Sequence, residues 1–213
     1  MSSPNEPMGP YRDNALNVIY NMLFCDNLSL YQEHTLEPAP YPFDILFSDE
    51  SAPEDLQKVI EDPDTETRVK ILAYHKRNAR SNLPAQKELL GVIVEVGLEN
   101  GLDVLASYAN GTARYINQSG KMIIWENPDD QTANHLIQDL FIQSKRIVDQ
   151  IGPWDNPRKT PPVKGYTRIT FLVSHELYFG EAPTEILFND ALASPALMSA
   201  TRLMQFLTHI KPS

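Results

Sequence analysis

The chain has 213 residues, 28 of them acidic and 18 basic, for a formal net charge of −10 at pH 7. With 42% apolar and 22% charged residues it has the material for a packed core, which excludes a disordered polyelectrolyte, and its one cysteine excludes an intramolecular disulfide. A surface of this sign repels phosphate, so nucleic acid is not an expected partner.

The length fits a single α+β domain, with 1–88 a mainly helical part and 89–213 the sheet-containing core. The opening residues show neither a basic flank nor an apolar run, and the first apolar segment, 15–24, is too short to span a bilayer. A cytoplasmic protein that does not use a membrane is therefore expected. Asp13 is placed to cap a helix running to about Phe24, whose Leu16, Ile19, Tyr20 and Leu23 follow helical spacing. Pro38, Pro40 and Pro42 favour extended backbone, so positions 43–47 read as a short strand. Ser51 and Glu54 have capping-box spacing around Pro53, and Asp62-Pro63 repeats a cap-then-proline signal before a helix reaching about Asn78. Lys76, Arg77 and Arg80 near its end complement the helix dipole. Positions 33–66 hold eleven acids and one base, Lys58, a pattern that reads as a solvated face or as a docking surface for a basic partner.

From Leu89 the apolar period changes to two, and Asn100-Gly101, Asn110-Gly111 and Ser119-Gly120 divide the stretch. The pattern predicts a four-stranded antiparallel meander over roughly 89–98, 102–109, 112–117 and 121–126. Asn127-Pro128 then opens a long helix that Gly152-Pro153 ends, and the proline-rich stretch 154–165 reads as an extended loop. A later hairpin is expected from Thr167 to about Phe179, followed by a final helix capped by Ser194-Pro195. This order predicts an α+β fold with helices packed mainly on one face of an antiparallel sheet.

Treating every turn as a two-residue loop fixes which side chains share a face. One face then receives Val94, Val96, Leu105, Ile116, Ile123 and Trp125, with Asp103, Ser107 and Arg114 as its polar members. Arg114 would stand opposite Trp125, either stacking on the indole or recognising an anion. The other face receives Glu95, Tyr108, Tyr115, Asn117 and Glu126 among Ile93, Val104, Ala106, Met122 and Ile124. A face so mixed needs cover, from the N-terminal helices, a second protomer or a small ligand. One three-residue turn would exchange the faces beyond it.

No phosphate-cradling glycine loop, nucleophile elbow, paired-histidine zinc helix, paired-cysteine or EF-hand pattern occurs, so no cofactor and no metal are expected. Cys25 ends an apolar helix beside Asp26, a setting for a structural thiol. The five histidines are dispersed. His175-Glu176 at the expected hairpin turn, with Glu181 nearby, is the best catalytic candidate they provide.

In the runs 101–108, 114–121 and 177–181, which read GLDVLASY, RYINQSGK and LYFGE, the chain resembles a group of uncharacterised bacterial proteins, over about 89–207. The resemblance implies a bacterial, intracellular setting, and because the group has no established activity, cofactor or catalytic residues it transfers no function. The leading expectation is a binding or accessory protein, a homo-oligomer or a binder of a protein partner or small ligand. Its contacts would be Glu95, Tyr108, Arg114, Tyr115, Asn117 and Glu126. The alternative is an enzyme, such as a hydrolase, assembled around His175, Glu176, Glu95 and Tyr115.

Overall fold

The computed structural model describes residues 9–80, 87–174 and 176–209, which leaves the opening residues and His175 outside. Asp13 accepts a hydrogen bond from the Ala15 amide and starts α1 (Asn14–Met22). Asn27 does the same for Ser29 at the head of α2 (Leu28–Gln32), a short helix that the sequence pattern does not announce. Positions 43–47 form a helix, α3 (Phe43–Phe47), and not the expected strand. The prolines precede it: the Pro40 carbonyl accepts from both the Phe43 and Asp44 amides, and Phe43 stacks on Phe47 one turn later.

The caps of the next two helices also differ from expectation. In α4 (Pro53–Glu61) Ala52 occupies the cap position, because the Ser51 hydroxyl is spent on the Ile45 and Ser48 carbonyls. Asp62 closes a turn by accepting from Asp64, so α5 (Thr67–Asn78) starts later, after Glu66. The bases at and just past its end reach across to the end of α3 and the loop that follows it: Lys76 binds the Leu46 and Ser48 carbonyls, and Arg80 those of Asp49 and Ser51.

The expected meander is present as β1 (Leu89–Leu98), β2 (Gly101–Tyr108), β3 (Ala113–Ile116) and β4 (Met122–Trp125). Asp130 caps α6 (Gln131–Val148) through the Ala133 amide. The hairpin β5 (Tyr166–Val173) and β6 (Leu177–Pro183) follows, then α7 (Thr184–Asn189) and α8 (Ala193–His209). Asp190, not Ser194, caps α8, accepting from the Leu192 and Ala193 amides. The strands form one antiparallel sheet ordered β4-β3-β2-β1-β5-β6, and the fold is α+β.

Two turn lengths overturn the predicted faces of one strand. Leu98 pairs with Gly101, a two-residue reversal, but Ser107 pairs with Ala113 and Ile116 with Met122, with Tyr108 bonding Thr112 and Asn117 bonding Lys121. Both later loops therefore contain three residues, with Gly111 (φ 82°) and Gly120 (φ 83°) taking the left-handed position such loops require. The first extra residue inverts β3 and the second restores β4. Tyr115 and Ala113 thus share a face with Val94 and Leu105, while Arg114 and Ile116 lie with Glu95 and Val104.

Helices cover both faces, not mainly one. Ile93, Val104, Ala106, Tyr108 and Ile116 pack under Tyr20, Leu46, Leu56 and Ile71 of the N-terminal helices and Phe24 in the turn after α1. Val92, Val94, Leu105, Tyr115 and Phe171 pack under Ile137 and Leu140 of α6 and Leu197 and Leu203 of α8. No helix among the described residues is long and apolar enough to cross a membrane.

Candidate functional site

On the N-terminal side of the sheet a charged row runs across three strands. Glu95 of β1 pairs with Arg168 of β5, which pairs with Glu181 of β6. Glu95 and Arg168 are 0% and 3% exposed, so neither charge is hydrated by bulk water. The Tyr20 hydroxyl donates to Glu95 Oε1 at 2.6 Å, and Arg168 Nη1 lies 3.5 Å from Oε2. Arg168 also donates to Glu181 (2.6 Å) and to the Lys159 and Thr160 carbonyls. Burial pushes the Glu95 carboxyl above its ordinary range, against the lowering effects of the Tyr20 hydrogen bond and the Arg168 charge. Burial likewise raises the Tyr20 hydroxyl, reinforced by Glu95.

The carbonyls held by Arg168 belong to the proline-rich loop, which crosses this face as a strap. Trp154 packs edge-on against Phe179, with Lys159 over both rings, and Arg158 reaches to Asp26 and Asn21 while lying 3.8 Å from the Phe24 ring centre. The strap passes so close to β1 that a Cβ on Gly97 would stand 2.1 Å from the Val163 carbonyl oxygen. Gly97→Ala is therefore expected to cost about 1–3 kcal/mol by forcing the two backbones apart, measured by urea denaturation; an unchanged midpoint would mean the strap yields freely. Between strap and α1 lies an open cleft of about 650 Å³, in which the Asn17 side chain is bonded to Tyr11 and that of Asn21 to Arg158, so these two amides are committed to the fold.

The opposite face carries a smaller, apolar pocket of about 80 Å³. Val94, Leu105 and Tyr115 line it from the sheet, Leu197 and Met204 from α8, and Phe188 from α7. Asp103 supplies its carboxylate: Oδ2 accepts from the Tyr115 hydroxyl at 2.8 Å and Oδ1 from the Gln118 amide at 2.7 Å. Burial pushes the Tyr115 hydroxyl well above its ordinary value, aided by its bond to Asp103, so it stays protonated at neutral pH.

The structure brings Glu95 and Glu181 together through Arg168 and separates both from Tyr115, which lies on the other side of the sheet. The five contact residues expected on one open face, and Arg114 expected on the other, are dispersed. Tyr108 is fully buried, its hydroxyl bonded to the Leu23 carbonyl. Arg114 is buried, stands opposite Ile124 rather than Trp125, and binds Glu126 and the Trp125 carbonyl; Trp125 packs on Phe206 of α8. Asn117 accepts from Ser119 and Lys121 and so builds its own turn. The Glu176 carbonyl accepts from Val173 at the hairpin, and His175 lies outside the described residues. Burial pushes the Cys25 thiol up to about 12, which keeps it protonated. Among the described residues no group of three or more His, Cys, Asp or Glu is placed to hold a metal ion.

Tyr20, Arg168 and the strap are the parts that sequence reasoning did not select. A lone cation on the inward parity of an otherwise apolar strand was the available signal for Arg168. Comparison with protein-family models and with curated proteins finds no match for this chain.

Proposed function

We propose that the protein is a ligand-binding protein whose site is the pocket between α8 and the sheet at Val94, Leu105 and Tyr115. One observation carries this reading: apolar walls from three elements meet a single carboxylate, the pairing of a hydrophobic body with few fixed polar groups that small-molecule sites use. The candidate acids give the enzyme alternative less support. Glu95 and Glu181 are held by Arg168, and Tyr115 faces away from both.

The test fills the pocket. Ala200, 3% exposed on α8, lines it. Ala200→Leu places three carbons in existing space, so its stability is expected to fall by less than the ~1–3 kcal/mol typical of overpacking a filled core. In the native chain, n-butanol is expected to shift the amide resonances of Val94, Leu105 and Ala200, and in Ala200→Leu the response at positions 94 and 105 should vanish. Identical responses in the two proteins would remove the pocket as the site.

A further inference from the structure

The hydrogen-bonding state of the pocket restricts what it accepts. The Tyr115 hydroxyl has one proton, already given to Asp103. The Thr201 hydroxyl, also lining the pocket, donates to the Leu197 carbonyl at 2.8 Å. The Asp103 carboxylate brings acceptors and no donor, and its two existing bonds leave a further lone pair on each oxygen. The polar side chains of this pocket therefore offer acceptors and no uncommitted proton. A carboxylate or phosphate would find nothing there to bind it; a ligand that brings its own donors would.

Charge narrows the class further. No ion pair among the described residues involves Asp103, and no basic residue lines the pocket. A chain of net charge −10 adds a field that draws in cations. The volume, about 80 Å³, is smaller than the ~150 Å³ apolar cavity that admits benzene, and so suits a slender chain of about four carbons. We infer that the pocket binds a primary alkylammonium group, with the ammonium on Asp103 and the aliphatic chain between Leu105 and Met204. This inference rests on the pocket being the ligand site. The shared chemistry belongs equally to a free short-chain amine and to a lysine side chain.

Titration followed by amide resonances separates the possibilities, with n-butylammonium, n-butanol and butyrate as probes. Butylammonium is expected to bind at least about tenfold more tightly than butanol, the order expected of a charge-assisted hydrogen bond, and butyrate not at all. Asp103→Asn keeps an acceptor for Gln118 and should reduce the amine-to-alcohol ratio to about one. As a second measurement on the native chain, added salt should weaken butylammonium binding and leave butanol binding unchanged. Nα-acetyl-lysine methylamide then separates the sources: binding by it places a lysine-bearing partner at the pocket, and binding by butylammonium alone places a free amine there. Equal affinities for amine and alcohol, or a ratio that survives both Asp103→Asn and salt, would overturn the inference while leaving the pocket a ligand site. No response to either butylammonium or butanol would remove the site with it.

Discussion

Arg168→Ala is expected to lower folding stability by about 3–5 kcal/mol, read as a shift of the urea midpoint, because it leaves the fully buried Glu95 carboxyl without its cation. The same substitution releases Glu181 and the two strap carbonyls, so hydrogen exchange should accelerate along the strap as well. Glu95→Gln is expected to cost less, since an amide needs no counter-charge. It also changes the pH dependence. Burial raises the Glu95 carboxyl, so the folded chain holds that proton more tightly than the unfolded chain does. Its stabilising effect is complete below the ordinary carboxylate range and is lost as pH rises through the folded value. The stability of Glu95→Gln relative to the native chain should therefore improve from acidic to neutral pH. A difference that is flat with pH would show that Arg168 and Tyr20 fully offset the burial.

Tyr20→Ala should be comparably damaging, at about 3–5 kcal/mol, because the ring is almost fully buried, edge-on to Phe24 and Tyr11. Tyr20→Phe isolates the hydroxyl. It keeps the ring and removes the donor to Glu95 Oε1, leaving a buried carboxylate oxygen unsatisfied, for an expected loss of about 1–3 kcal/mol. The Phe variant should also raise the Glu95 carboxyl further, since that hydrogen bond is the largest effect lowering it. Combining Tyr20→Phe with Glu95→Gln gives the coupling directly. Additive losses would mean the two groups are neighbours without an energetic link.

The alternation in β1 and β2 was legible because both faces of those strands follow a period of two, and the first reversal preserves parity whichever glycine-containing pair is chosen. The face of Tyr115 was not. Asn110-Gly111 satisfies a two-residue turn and also a three-residue turn with glycine in the left-handed position, and local sequence does not decide between them. The helix at 43–47 escapes the sequence pattern because prolines that bias toward extended backbone also make good entries to a first helical turn. The Glu95–Arg168 row was hidden for a different reason: β1 meets β5 only after the intervening meander and α6 have been laid down, and no local pattern encodes that pairing. Asp103 was legible as a polar member of the Val94 face, but its role depended on Tyr115 arriving beside it.

The strand order has a consequence for biogenesis. During synthesis, β1 to β4 can pair as each emerges, but β1 sits at the centre of the finished sheet and its second neighbour, β5, is translated only after the whole of α6. Until then β1 presents an apolar edge of unpaired amides and carbonyls, with Glu95 lacking its cation. Nascent chains stalled within α6 should accordingly be the species that aggregates or recruits chaperones, and release past β5 the step that ends this exposure.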